Sequence, residues 1–178
     1  MVGIFYKIYQ FLYILSLKIT KGSSFVFNGK ISSSGFFKIE IAKNAKLTIR
    51  GNITLKSGTI IGVRKNARLT IDDGCFFNRN CSIICREEIT IGKNCLFGES
   101  VKIYDNDHKL LAGKIYKDEY ITSSIVIEDE CWIANDVNIL KGSYIPKNTV
   151  VGAMSLVNKR LEQSGIYAGI PAVFKRAI

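Results

Sequence analysis

The chain has 178 residues, 47% hydrophobic and 22% charged, which supplies a core for one domain and argues against disorder. Its 25 basic and 15 acidic side chains give a formal net charge of +10, so anionic partners are favoured, whether a phosphorylated cofactor, an acidic membrane face or nucleic acid. A single histidine excludes a three-histidine metal centre, and Cys81 and Cys85 are the only near-motif for zinc, so no metal is expected. The cysteines number five, an odd count, and no secretory cleavage pattern precedes them; they read as reduced thiols of a cytoplasmic protein.

Residues 4–19 (IFYKIYQFLYILSLKI) are strongly apolar. As a helix they span about 24 Å, short of the ~30 Å hydrocarbon core of a bilayer. At 100° per residue Lys7, Gln10, Lys18 and Lys21 fall on one side and Ile4, Ile8, Phe11, Leu12, Leu15 and Ile19 on the other, with Tyr6, Tyr9 and Tyr13 at a boundary. Two readings are open. Such a helix lies in a membrane interface, or it caps the exposed end that any elongated β-fold must cover.

Beyond the helix a six-residue period takes over. Ile127, Ile133, Ile139, Ile145, Val151 and Val157 follow without a miss, each of the first five trailed four positions later by Cys131, Val137, Ser143, Thr149 or Ser155. Upstream the same spacing gives Ile41, Leu47 and Ile53, then Val63, Leu69, Cys75 and Cys81, then Ile91, Phe97 and Ile103, and IAKNAKLTI (41–49) nearly repeats as VRKNARLTI (63–71). Hexads of this kind predict an all-β chain, a parallel β-helix whose coils stack their aliphatic residues about 4.8 Å apart. The register fails at 82–90 and at 104–124, where loops are expected to project, and the second of these holds the sole histidine.

The segments FNRN (77–80), ITIGKN (89–94), VKIYDNDH (101–108), CWIAND (131–136), VVGAMSLVNK (150–159) and AGIPAVFKR (168–176) carry a resemblance. Over roughly residues 40–176 the chain resembles the hexapeptide-repeat acyltransferases. The likeness is to bacterial sugar O-acetyltransferases of the maltose and galactoside type and to enzymes that decorate capsular or lipopolysaccharide sugars. Asn78 stands thirty positions before His108 and Trp132 twenty-four after it, as that family would place its asparagine, histidine and tryptophan. The resemblance implies a left-handed β-helix over 23–165, after the helix of 1–22 and before a tail of 166–178. It also implies a homotrimer whose active sites are shared between subunits.

For the reaction, the resemblance implies acetyl transfer from acetyl-CoA to a sugar hydroxyl, with His108 as general base and no acyl-enzyme. Asn78 would hold the acceptor or the tetrahedral oxygen, with Asn80 as rival. Asp105 and Asp107, and Glu99 beside them, are candidates to bind sugar hydroxyls or orient the imidazole. The pantetheine arm would lie near Trp132, Ala134, Asn135 and Ala153, while Asn158, Lys159 and Arg176 reach the phosphates of coenzyme A. Two departures matter. Arg86 stands where sugar-binding relatives would have an acidic residue, and Val173 replaces a basic residue near Arg176, leaving Lys175 to serve.

The expected acceptor is therefore a sugar of a bacterial surface polysaccharide or its precursor, modified in the cytoplasm or at the inner face of the membrane, where residues 1–21 would make peripheral contact. N-acetylation of an amino sugar nucleotide uses the same base and is the neighbouring reading. A non-catalytic β-helical scaffold or glycan-binding protein is the reading of another class. Nucleic acid is not expected as a partner, since charge alone points to it.

Overall fold

The computed structural model describes residues 2–178. A helix, α1 (Val2–Lys21), leads through a 3-10 turn at Gly22–Ser24 into short strands that coil into a three-sided prism. Each face is a parallel sheet. Face A holds Phe25–Asn28, Lys46–Arg50, Arg68–Asp72, Glu88–Ile91, Ile125–Ile127 and Tyr144–Ile145. Face B runs from Ile31–Ser33 to Ile166–Ala168, and face C from Lys38–Ile41 to Leu156–Val157. The last strand, Val173–Arg176, turns back antiparallel along the edge of face B.

The strands are short because alternation fills the interior within two or three residues. In Lys46–Arg50 Leu47 and Ile49 are buried while Lys46 and Arg50 are exposed, and the pattern recurs around the prism. Polar residues with positive φ then turn the chain at many corners, as Asn80 (60°), Asn94 (54°), Asp136 (58°) and Asn148 (55°) do. Stacking gives like-on-like columns: Ile49, Ile71, Ile91, Ile127 and Ile145 lie in register on face A. Ile39, Ile61, Ile83, Ile103, Ile139 and Val157 do so on face C.

These registers locate the interruptions. From face A to B, and from B to C, the chain always advances six residues, as in Ile71 to Phe77 to Ile83 and Ile127 to Ile133 to Ile139. From C back to A the advance varies: Ile61 to Ile71, Ile83 to Ile91, Ile103 to Ile127 and Ile139 to Ile145. Every insertion thus falls at one corner. The expected break at 82–90 is only a wider turn at Arg86 and Glu87, since Ser82–Cys85 and Glu88–Ile91 are regular strands. The segment 104–124 is a hairpin of Asn106–Leu111 against Lys114–Thr122, with a register shift between His108 and Lys109.

Five cysteines point into the column, and each is a free thiol. Sγ of Cys75, Cys95 and Cys131 donates to the carbonyls of Gly92 (3.0 Å), Glu128 (3.1 Å) and Pro146 (3.3 Å). Burial pushes the Cys81 thiol up to about 11. All five are buried and act as small core residues.

Helix α1 covers the open end of the first coil with its tyrosine side. Leu17 is buried, Tyr13 Oη accepts from Ile39 N (2.9 Å), Tyr6 Oη meets Ser33 Oγ (3.1 Å), and the Tyr6 and Tyr9 rings pack edge-on to Phe36. The aliphatic side, which a simple cap would have turned inward, faces out. No helix among the described residues is long and apolar enough to cross a membrane.

Candidate active site

The hairpin is fixed at its base before any ligand is considered. Asp105 is completely buried, and its carboxylate accepts from the backbone N–H of Arg86 (2.8 and 3.0 Å) and of Glu87 (2.8 Å). It also accepts from Asn106 Nδ2 (3.2 Å). These bonds tie the wide turn of one coil to the start of the hairpin in the next. Asp105 therefore anchors the hairpin: its carboxylate is engaged by amides that burial would otherwise leave unpaired. Asp107 is half-exposed and pairs with Lys141 Nζ at 2.9 Å, from the same corner of the following coil.

His108 is exposed at the first bulged position of the hairpin. Its Nδ1 lies 3.3 Å from the carbonyl oxygen of Tyr116. A carbonyl oxygen only accepts, so this contact requires the proton on Nδ1 and leaves the lone pair of neutral imidazole on Nε2. The ring rests against Tyr120, with centroids 4.7 Å apart, and the Arg86 guanidinium lies 3.3 Å over the Tyr120 ring. Arg86 Nε is buried without a hydrogen-bond partner. None of the acidic candidates orients the imidazole. Glu99 sits at another corner, paired with Arg79 (3.2 Å).

Tyr116, Tyr120 and Arg86 had no assigned role in the sequence. A tyrosine contributing only its carbonyl leaves no side-chain signature, while Tyr120 belongs to the opposite strand and becomes a neighbour of His108 only through hairpin register.

The other expected site residues divide between two corners. Asn78, Asn80, Ala134, Asn135 and Ala153 stack where face B meets face C, with Trp132 half-exposed beside them on face B between Leu96 and Val150. Asn78 Oδ1 accepts from Arg79 N (2.9 Å) in its own turn, and Asn135 Oδ1 accepts from Glu99 N (2.9 Å) in the turn of the preceding coil. Arg176 is exposed on the returning strand, paired with Ile166. Asn158 and Lys159 are exposed at the C–A corner, the one that carries His108. Face C separates the groups: Cys81 to Cys85 alone spans about 13 Å of extended chain. One subunit does not bring Asn78 beside His108. Among the described residues no group of three His, Cys, Asp or Glu side chains is arranged to hold a metal ion.

No model of a protein family matches the chain. Residues of the chain are 30% identical over 105 positions to a galactoside O-acetyltransferase of Lactococcus lactis, covering 59% of this chain and 51% of that protein. A putative lipopolysaccharide biosynthesis O-acetyl transferase of Escherichia coli is 30% identical over 95 positions, covering 48% of each. The chain spans about half the length of these curated relatives. Among solved structures, a hexapeptide-repeat containing acetyltransferase from Vibrio cholerae complexed with acetyl coenzyme A superposes with a TM-score of 0.62 at 27% identity, covering 85% of this chain and 72% of that one. In sequence and in fold, the chain resembles the hexapeptide-repeat acyltransferases, with bacterial sugar O-acetyltransferases among its relatives.

Proposed function

We propose that the protein transfers an acetyl group from acetyl-CoA to a hydroxyl of a sugar in a bacterial surface polysaccharide or its precursor. The observation that carries this reading is the Nδ1 contact of His108 with the Tyr116 carbonyl, which presents Nε2 as a base on an exposed strand. Nε2 takes the proton of the acceptor hydroxyl as its oxygen attacks the thioester carbonyl. The thioester bond then breaks, and the imidazolium returns the proton to the departing thiolate. The Tyr116 carbonyl stabilises the imidazolium in between, the part an aspartate takes in a serine hydrolase.

Coenzyme A fits the remaining residues. Trp132 offers an exposed apolar face, and Ala134, Gly152 and Ala153 leave room for an extended arm along the B–C corner. Lys159, Lys175 and Arg176 supply exposed cations near the end of the prism. Asn78 and the arm-binding residues join His108 when the B–C corner of one subunit meets the hairpin corner of the next, which supports a threefold assembly with shared sites.

The test is thiol release from acetyl-CoA by the wild type and His108→Ala, with neutral sugars, amino sugars and sugar nucleotides as acceptors. Acceptor-dependent release that falls 10²- to 10⁴-fold in the variant is expected. Equal rates in the two proteins, or no coenzyme A binding by calorimetry, would remove the proposal.

A further inference from the structure

Helix α1 turns its tyrosine side to the coil and presents Ile8, Phe11, Leu12, Leu15 and Ile19 to the outside, with Phe11 67% and Ile19 73% exposed. Five large apolar side chains on one stripe form the kind of contiguous patch that soluble surfaces avoid. We infer that this stripe docks on an anionic lipid surface and seats the prism on a membrane by its helix end.

Charge selects lipid over a second copy of the chain. The first acidic residue in the sequence is Glu40, while Lys7, Lys18, Lys21, Lys30 and Lys38 all precede it. Lys38 is paired with Glu40, so two such ends placed face to face oppose the remaining lysines Lys7, Lys18, Lys21 and Lys30, whereas a phosphate-bearing surface gains from each of those four. Lys7 and Lys18 lie on the border of the stripe, where long side chains reach headgroups while the aliphatic face enters the acyl boundary. Beside the stripe, α1 and the first coil enclose a groove of about 410 Å³ lined by Phe11, Ile14, Phe27 and Phe37, with Lys7 and Lys30 among its walls. The inference stands on the helix end alone, whatever reaction the hairpin performs.

The full chain is sedimented with vesicles of phosphatidylglycerol and phosphatidylcholine, and with vesicles of phosphatidylcholine only, at 0.15 M salt. Binding to the first and at least tenfold less to the second is expected. Phe11→Glu with Leu15→Glu, both at exposed positions, abolishes binding while circular dichroism stays unchanged; Lys7→Gln and Lys18→Gln each weaken it about fivefold. No sedimentation of the wild type with the anionic vesicles overturns the inference. So does a glutamate variant that binds them equally well, or one that fails to bind only because it has unfolded while the lysine variants bind like wild type. A smaller particle by light scattering, with vesicle binding undiminished, would assign the stripe to a protein interface instead.

Discussion

Two corners of the prism advance six residues at every coil, while the third takes ten, eight, twenty-four, six or four. The constant corners are built by stacking, reinforced by side-chain caps such as Asn135 on Glu99 N and Asp129 on Lys93 N, since each turn must overlie its neighbour for the inner columns to stay in register. The variable corner is released from that demand by Asp105, whose buried carboxylate replaces coil-on-coil hydrogen bonds at the one place where the hairpin leaves. The regular stacking and the hairpin that carries His108 thereby lie on different edges of one solenoid. A side chain deep in the columns should cost far more when truncated than one at the hairpin tip.

Phe97→Ala puts that contrast at its widest. Its ring stacks on Phe77 at 4.5 Å between centroids and is buried on every side. Truncation leaves a cavity that two coils must share, and a loss of about 3–5 kcal/mol is expected in urea denaturation. Leu110→Ala, at an exposed hairpin position, should change stability by no more than about 0.5 kcal/mol. Similar losses at both positions would break the comparison.

Asp105→Ala is expected next, at about 2–4 kcal/mol, because the amides of Arg86 and Glu87 lose their acceptor inside the fold. Acceptor-dependent thiol release should fall with it, since His108 sits three residues along the strand that Asp105 anchors. Loss of activity with unchanged stability would return Asp105 to the substrate.

The regular coils were legible in the sequence for the same reason that they are stable. From Ile127 to Val157 no residue is inserted, so counting by six finds the true column. Upstream the four extra residues at the C–A corner shift the count: Ile41, Leu47 and Ile53 are all buried, yet the residues that share one column position are Ile39, Ile49 and Leu55. The candidate base was legible as a lone histidine at an interruption. What orients it was not, because a carbonyl and a cross-strand tyrosine depend on pairing that local sequence does not encode. The anchoring part of Asp105 was not legible either: a carboxylate in a loop next to a histidine invites a ligand reading, and its burial and backbone partners emerge only with the fold. The tyrosine side of α1 was a boundary in the helical projection, and the first coil's polar rim at Ser33 and Ile39 made it the docking face.

Strain at the constant corners gives a smaller effect of opposite sign. Met154 occupies a turn with φ 58° and is 72% exposed, where earlier coils use Asn80, Ser100 and Asp136. A left-handed conformation is costly for a side chain that cannot hydrogen-bond locally. Met154→Asn should stabilise the protein by about 0.5–1 kcal/mol, seen as a melting temperature about 1–4 °C higher.

The smallest effect belongs to the ion cluster on face C of the first two coils, beside the variable corner. Hydrogen bonds from Lys38 first and then Arg64 hold the Glu40 carboxyl below its ordinary value of 4.5, against the opposing effect of burial. A depressed carboxylate stabilises the fold while it is ionised, so its contribution is full above that ordinary value and disappears as the pH falls through the lowered one. Both cations are well exposed, with 64% of Lys38 and 36% of Arg64 accessible, and solvent limits the gain to about 0.5 kcal/mol. Denaturation at pH 7 and pH 3 should therefore separate Glu40→Gln from the wild type slightly at the higher pH and less at the lower. A gap above about 1 kcal/mol at pH 7 would mean that charge, as well as Asp105, fastens the corner where the register is allowed to vary.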